Sequence, residues 1–151
     1  MIKAIFISLA AVVLVGCDYS YSVRRWAKSP DSIDPGVVRE VLKQQAGYNH
    51  RFDFCCEKWM RAIINRGDAN VHVGIEDGYI DFSSGWVNRL PDVSVLEQSL
   101  QMQIDLIRIL KERFRDLPNE SDYKLEWHPP CFMYHLTSST NEVSPVDANK
   151  E

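Results

Sequence analysis

The sequence predicts an α+β domain, a small antiparallel sheet packed against one long helix and preceded by two shorter ones. Three observations lead there. Two runs that alternate apolar and polar residues flank Asp77-Gly78, a broad apolar stripe recurs at helical spacing from Val95 to Leu117, and short alternating segments follow near residues 123–127 and 131–136. Alternation at period two turns one side of a strand to a core, and recurrence near 3.6 does the same for a helix.

In chain order the first element is a helix opened by Asp34 as N-cap and Pro35 at the first helical position. Val37, Val38, Val41 and Leu42 form its apolar face, and it ends near Gly47. A second helix is expected over Asp53 to Arg66, where Cys56, Trp59, Met60, Ile63 and Ile64 recur at helical spacing before Gly67. Arg51 to Phe54 also alternates like a short strand, which leaves the start of that helix open.

The hairpin spans residues 71–83. Asp-Gly between two alternating runs is a type I′ turn signature, because both central residues need positive φ. A two-residue loop sets Glu76 against Tyr79, Ile75 against Ile80, Val73 against Phe82 and His72 against Ser83, so the apolar residues share one face with Val71. The long helix is expected over 95–117, with Ser94 and Glu97 as a capping box and Pro118 as its stop. Its wide stripe suits a sheet better than a coiled-coil seam. Tyr123 to Trp127 and Cys131 to Leu136 read as further strands, separated by Pro129-Pro130. Residues 137–151 hold almost no apolar side chains and read as a disordered tail.

The N-terminus carries a separate message. One charge at Lys3 precedes a nearly unbroken apolar run from Ala4 to Val15, the length of a signal core and too short to span a bilayer comfortably. Leu14-Val15-Gly16-Cys17 resembles the lipobox of bacterial lipoproteins. The resemblance covers only residues 1–17, and it implies cleavage after Gly16 and acylation of Cys17. Thiol chemistry fits, since a thiolate is the strong nucleophile near neutral pH, and several acyl chains give a lasting membrane anchor where one does not. Asp18 resembles the signal that keeps enteric lipoproteins in the inner membrane, although other bacteria read different positions, so the outer membrane stays open. Residues 17–33, rich in Ser, Tyr, Arg and Asp, read as a tether that extends to about 50 Å. Residues 34–136 then form one domain.

Composition narrows the partners. The formal net charge is −4, and loss of Lys3 with the signal makes the mature chain one unit more negative. Without a basic stripe, nucleic acid is a poor partner. Arg24-Arg25-Trp26 is the one basic aromatic triplet, too small to hold anionic headgroups by itself.

Few residues advertise chemistry. Cys55, Cys56 and Cys131 remain beside the lipidated Cys17, and an oxidising compartment favours a disulfide from Cys55 or Cys56 to Cys131. Such a bridge closes a loop of about 75 residues and is worth about 3–4 kcal/mol in the chain-entropy account. Zinc on Cys55, Cys56, His128 and Cys131 is disfavoured, because adjacent cysteines do not easily ligate one ion. No metal or other cofactor is expected.

On the outward face of the hairpin, His72, Glu76, Tyr79, Asp81 and Ser83 project together. Ser, His and Asp within reach resemble a hydrolytic triad, but no oxyanion hole or strained nucleophile turn accompanies them. A polar face with a tyrosine suits a protein partner better. Trp86 and Arg89, in the segment after the hairpin, complete the candidate binding residues. The expectation is therefore a non-catalytic lipoprotein at the periplasmic face of a membrane. Its role is read as an immunity or inhibitor protein against a basic, envelope-acting toxin. The alternatives are an accessory subunit of an envelope or secretion assembly and, less favoured, an enzyme.

Overall fold

The computed structural model describes residues 20–87 and 90–128, of which the Ser20 side chain is left out. Strands β1 (Ser20–Lys28), β2 (Phe54–Cys55), β3 (Met60–Arg66), β4 (Ala69–Glu76), β5 (Tyr79–Val87) and β6 (Lys124–His128) form one sheet in the order β2-β3-β4-β5-β1-β6. Every pairing is antiparallel. Helices α1 (Pro35–Lys43) and α2 (Val93–Arg113) pack on one face of it, and two short 3-10 turns, His50–Phe52 and Glu120–Asp122, complete the elements.

The meander from β3 to β5 is built by turn chemistry. Asp77 (φ 51) and Gly78 (φ 77) both take the left-handed conformation that a two-residue hairpin needs. Val73 lies opposite Phe82 and Ile75 opposite Ile80. One row of side chains thus runs across the sheet through Ala62, Val73 and Phe82, all fully buried beneath the helices.

Two expectations are corrected. Residues 60–66, expected within a helix over Asp53 to Arg66, are strand β3, with Met60, Ala62 and Ile64 buried at period two. Ile63 misleads the pattern: it is an apolar residue on the other face, opposite His72, and its place beside Ile64 imitates helical spacing. The tether expected over 17–33 is also replaced in part by structure. Residues 20–28 form β1, hydrogen-bonded to β5 on one side and β6 on the other, and Ile33 joins the core. The domain therefore begins at or before residue 20 rather than at 34. Val23 and Ala27 bury one side of β1, which Arg25 shares, while Arg24, Trp26 and Lys28 alternate onto the opposite face.

Helix α1 starts as its sequence demands, with the Asp34 carboxylate accepting from the Gly36 N–H at 2.7 Å. It ends at Lys43, short of Gly47. Gly47 instead presses against β3, where a Cβ would lie 1.9 Å from the Asn65 carbonyl oxygen and where its own carbonyl accepts from the Asn65 N–H. Helix α2 is shorter than the expected 95–117 at its C-terminal end and begins earlier. Asp92 is the N-cap, so Ser94 and Glu97 lie inside the helix rather than forming a capping box at its start. Phe114 leaves the helix, and the Lys111 ammonium donates to the Arg115 and Leu117 carbonyls, satisfying backbone acceptors just past the helix end.

Gln103 locks α2 to the sheet. Its fully buried amide donates to the Val23 carbonyl on β1 and to Ser84 Oγ on β5. Nearby, β4 and β5 part beyond the His72–Ser83 pair, and the Asn70 side chain fills the gap with two reciprocal bonds to the Gly85 backbone. Cys17, Arg89, Cys131, the strand expected at 131–136 and the tail at 137–151 lie outside the described residues.

Candidate functional site: the open face of the sheet

Because both helices sit on one face, the other face of the sheet is left uncovered among the described residues. Strand alternation dictates which side chains occupy it. β4 supplies His72, Gly74 and Glu76, β5 supplies Tyr79, Asp81 and Ser83, β1 supplies Arg24, Trp26 and Lys28, and β6 supplies Lys124 and Glu126. Trp26 lies at the centre, paired with Asp81 on one side and Lys124 on the other.

The Trp26 ring is bracketed by cations, with the Lys124 ammonium 4.9 Å and the Arg24 guanidinium 5.7 Å from its centroid. Tyr79 meets it edge-on at 5.5 Å. These are favourable cation–π and T-shaped geometries. The indole Nε1 is shielded from solvent and has no acceptor among the described residues. Beside the ring, a cleft of about 250 Å³ opens between Lys28, Tyr79, Asp122 and Lys124.

Asp81 ties the hairpin to β1. Its carboxylate lies 3.5 Å from Arg24 Nε and folds over Gly74, where a Cβ would come within 2.5 Å of Oδ1. A side chain at position 74 would evict the carboxylate from that seat. Burial raises the Asp81 pKa, and Arg24 and Arg61 only partly oppose it. Burial also lowers the His72 pKa, with the Arg61 charge acting in the same direction, which favours the neutral imidazole.

The expected binding residues separate into two groups. His72, Glu76, Tyr79 and Asp81 share the open face, with Glu76 reaching only a long, exposed ion pair to Arg61. No hydrogen bond joins Ser83, His72 and Asp81, so the residue types of a triad are present without its geometry. Trp86 is not on this face. It is only 5% exposed, turned toward the helix side, and its indole donates to the Asp68 carbonyl at 3.3 Å. Cys55 on β2 is half-buried, with its thiol pushed up by burial, and Cys56 is exposed; they are not joined to each other, and a bridge to Cys131 falls outside the described residues. Among the described residues, no group of three or more His, Cys, Asp or Glu side chains is placed to hold a metal ion.

Sequence reasoning missed Arg24, Trp26, Lys28 and Lys124 as site residues. The signal was available in the alternation of Tyr21, Val23, Arg25 and Ala27 against Ser22, Arg24, Trp26 and Lys28. Comparison with known proteins adds no relative: the chain matches no protein-family model, no curated protein and no solved structure.

Proposed function

We propose that the chain is a lipoprotein held at the periplasmic face of a membrane through Cys17, and that it acts there as a non-catalytic protein-binding module. The role it fits best is that of an immunity or inhibitor protein against a toxin acting on the envelope. The observation behind the binding reading is the open face centred on Trp26. It presents aromatic and guanidinium groups on a rigid sheet, the residue types that dominate binding energy in protein interfaces. The net acidic chain speeds encounter with a basic toxin, while the mixed charges of the open face set the register of docking. Ser83, His72 and Asp81 share the face without a hydrogen bond joining them, which supports binding over hydrolysis.

The test places a photoreactive side chain at Tyr79 in the full chain in cells. A cross-link to a toxin encoded beside its gene, together with loss of protection from that toxin in a Trp26→Ala chain, supports the immunity reading. A cross-link to a secretion or envelope-assembly subunit replaces it with the accessory-subunit role. No cross-link at all counts against the face as a binding site. For the anchor, Cys17→Ser releases the protein from membranes; retention there refutes lipidation.

A further inference from the structure

We infer that the end of the sheet at which β1 begins is a lipid-docking rim, on which Val87, Leu90, Val93 and Trp127 seat the domain on a zwitterionic phospholipid surface. The inference rests on the anchoring reading and extends it from one lipidated residue to a folded surface.

The first argument is distance. β1 begins at Ser20, so only Asp18 and Tyr19 stand between it and Cys17. Three Cα steps span at most about 11 Å. The headgroup layer on each side of the hydrocarbon is about 5–8 Å thick. Acyl chains on Cys17 therefore bring the start of β1 to the headgroups, and the domain has no slack with which to stand away.

The second argument is independent of the first and concerns what surrounds Ser20. In the antiparallel register Ser20 pairs with Val87, the last residue of β5, and Ser22 and Val23 pair with His128 and Trp127 at the end of β6. Leu90 stands three residues after Val87 in the sequence, and α2 starts at Val93. Val93, Leu90 and Val87 are 72%, 63% and 60% exposed, the three most exposed large apolar residues among those described. All three fall at the one end that a lipid on Cys17 would press against the bilayer. Trp127, 48% exposed, joins them, with the Tyr21 ring 6.3 Å away. Indole and phenol rings at the level of the headgroups are the usual anchors of interfacial contact.

Charge selects the kind of lipid. Asp68, at the turn between β3 and β4, and Asp92, the N-cap of α2, lie on the same rim. With Arg66 at the same turn, the described residues of the rim hold no cluster of Lys and Arg to draw an anionic surface, so zwitterionic headgroups are the occupant the rim fits.

The experiment uses the full acylated chain, purified and reconstituted into phosphatidylcholine–phosphatidylethanolamine vesicles, with a benzophenone side chain at Val93 or at Phe54. Phe54 is a stringent control, because it is apolar and 50% exposed but lies at the far edge of the sheet, in β2. A phospholipid adduct at Val93 and none at Phe54 is the expected result. Intact mass of Cys17 is read on the same sample. An unacylated Cys17 removes the anchoring reading and the rim with it, whereas an acylated Cys17 with no adduct at Val93, or equal adducts at both sites, overturns the rim alone. As a second readout that leaves Val93 native, shallowly brominated lipids should quench wild-type tryptophan emission, and that quenching should be largely lost in Trp127→Phe; equal quenching in the two chains also overturns it.

Discussion

Replacing Gln103 tests how the helix holds the strand that carries the open face. Its amide is fully buried and donates to the Val23 carbonyl at 3.1 Å and to Ser84 Oγ at 2.9 Å. Gln103→Ala removes both bonds, each worth about 1 kcal/mol net. It also deletes four heavy atoms from a packed interior and leaves a cavity whose cost is about 1–2 kcal/mol for a side chain of this size. The Oε1 atom has no partner among the described residues, and its removal returns part of that loss. The expected destabilisation is about 2–4 kcal/mol in all. Urea unfolding of the detergent-solubilised chain, followed by tryptophan emission, measures it as a lower midpoint at unchanged slope. Gln103→Met keeps the volume and loses only the polar contacts, so it should fall between wild type and Gln103→Ala. Hydrogen exchange should rise in β1 in step with these changes, because Val23 is one of the two attachment points. A loss of less than about 0.5 kcal/mol in Gln103→Ala, the range of an exposed surface change, would refute the reasoning.

Three further outcomes follow from named contacts. Arg39 donates from Nε and Nη2 to the two Asp53 oxygens at 2.5 and 2.8 Å, which holds the Asp53 carboxyl below its usual range. A lowered folded pKa gives stability that is complete above the unfolded value, near 4, and lost as pH falls through the folded one; a series of melting temperatures against pH should show this loss in wild type and a flatter acid limb in Asp53→Asn. Asp81 has the opposite sign, because burial raises its pKa and its ionised form is disfavoured in the fold. Asp81→Asn should therefore melt higher than wild type at pH 7, with the gap closing below about pH 4, where both side chains are neutral. Phe82 is fully buried with its ring 5.8 Å from Tyr123, and Phe82→Ala should cost about 3–5 kcal/mol in the same urea assay.

The parts of the fold that are legible in the sequence are those set by neighbours in the chain. Asp77-Gly78 demands positive φ at two successive residues, and Asp34-Pro35 places a cap beside a fixed φ; both are decided within a few residues. The α+β class follows from such local patterns. β1 is different: it pairs with β5 about 60 residues away and with β6 about 100 away, and nothing local reports those partners. Its outward row of Arg24, Trp26 and Lys28 looks like solvated linker until a sheet is placed beneath it. Polar core residues mislead in a related way. Ser99 and Gln103 are fully buried on α2 because each finds a hydrogen-bond partner in the sheet, Ser99 Oγ accepting from the Asn70 N–H, and such satisfaction leaves no trace in hydropathy.

The same strand joins the anchor to the face. Trp26 lies six residues beyond Ser20, which at the rise of a strand is about 20 Å along β1. A tether of fifteen residues would let the face roam through a wide shell of the periplasm, as the composition of residues 17–33 led one to expect. With β1 beginning at Ser20, the proposed anchor instead fixes the height of Trp26 and Asp81 to within about 20–30 Å of the headgroups. If the strands rise from the rim, the open face looks sideways along the membrane rather than away from it. A partner that engages Trp26 must then approach parallel to the bilayer, which fits a toxin already inserting into or crossing the envelope better than one free in the periplasm. Binding energy can be modest in that geometry, because confinement of both molecules to one surface raises their effective concentration.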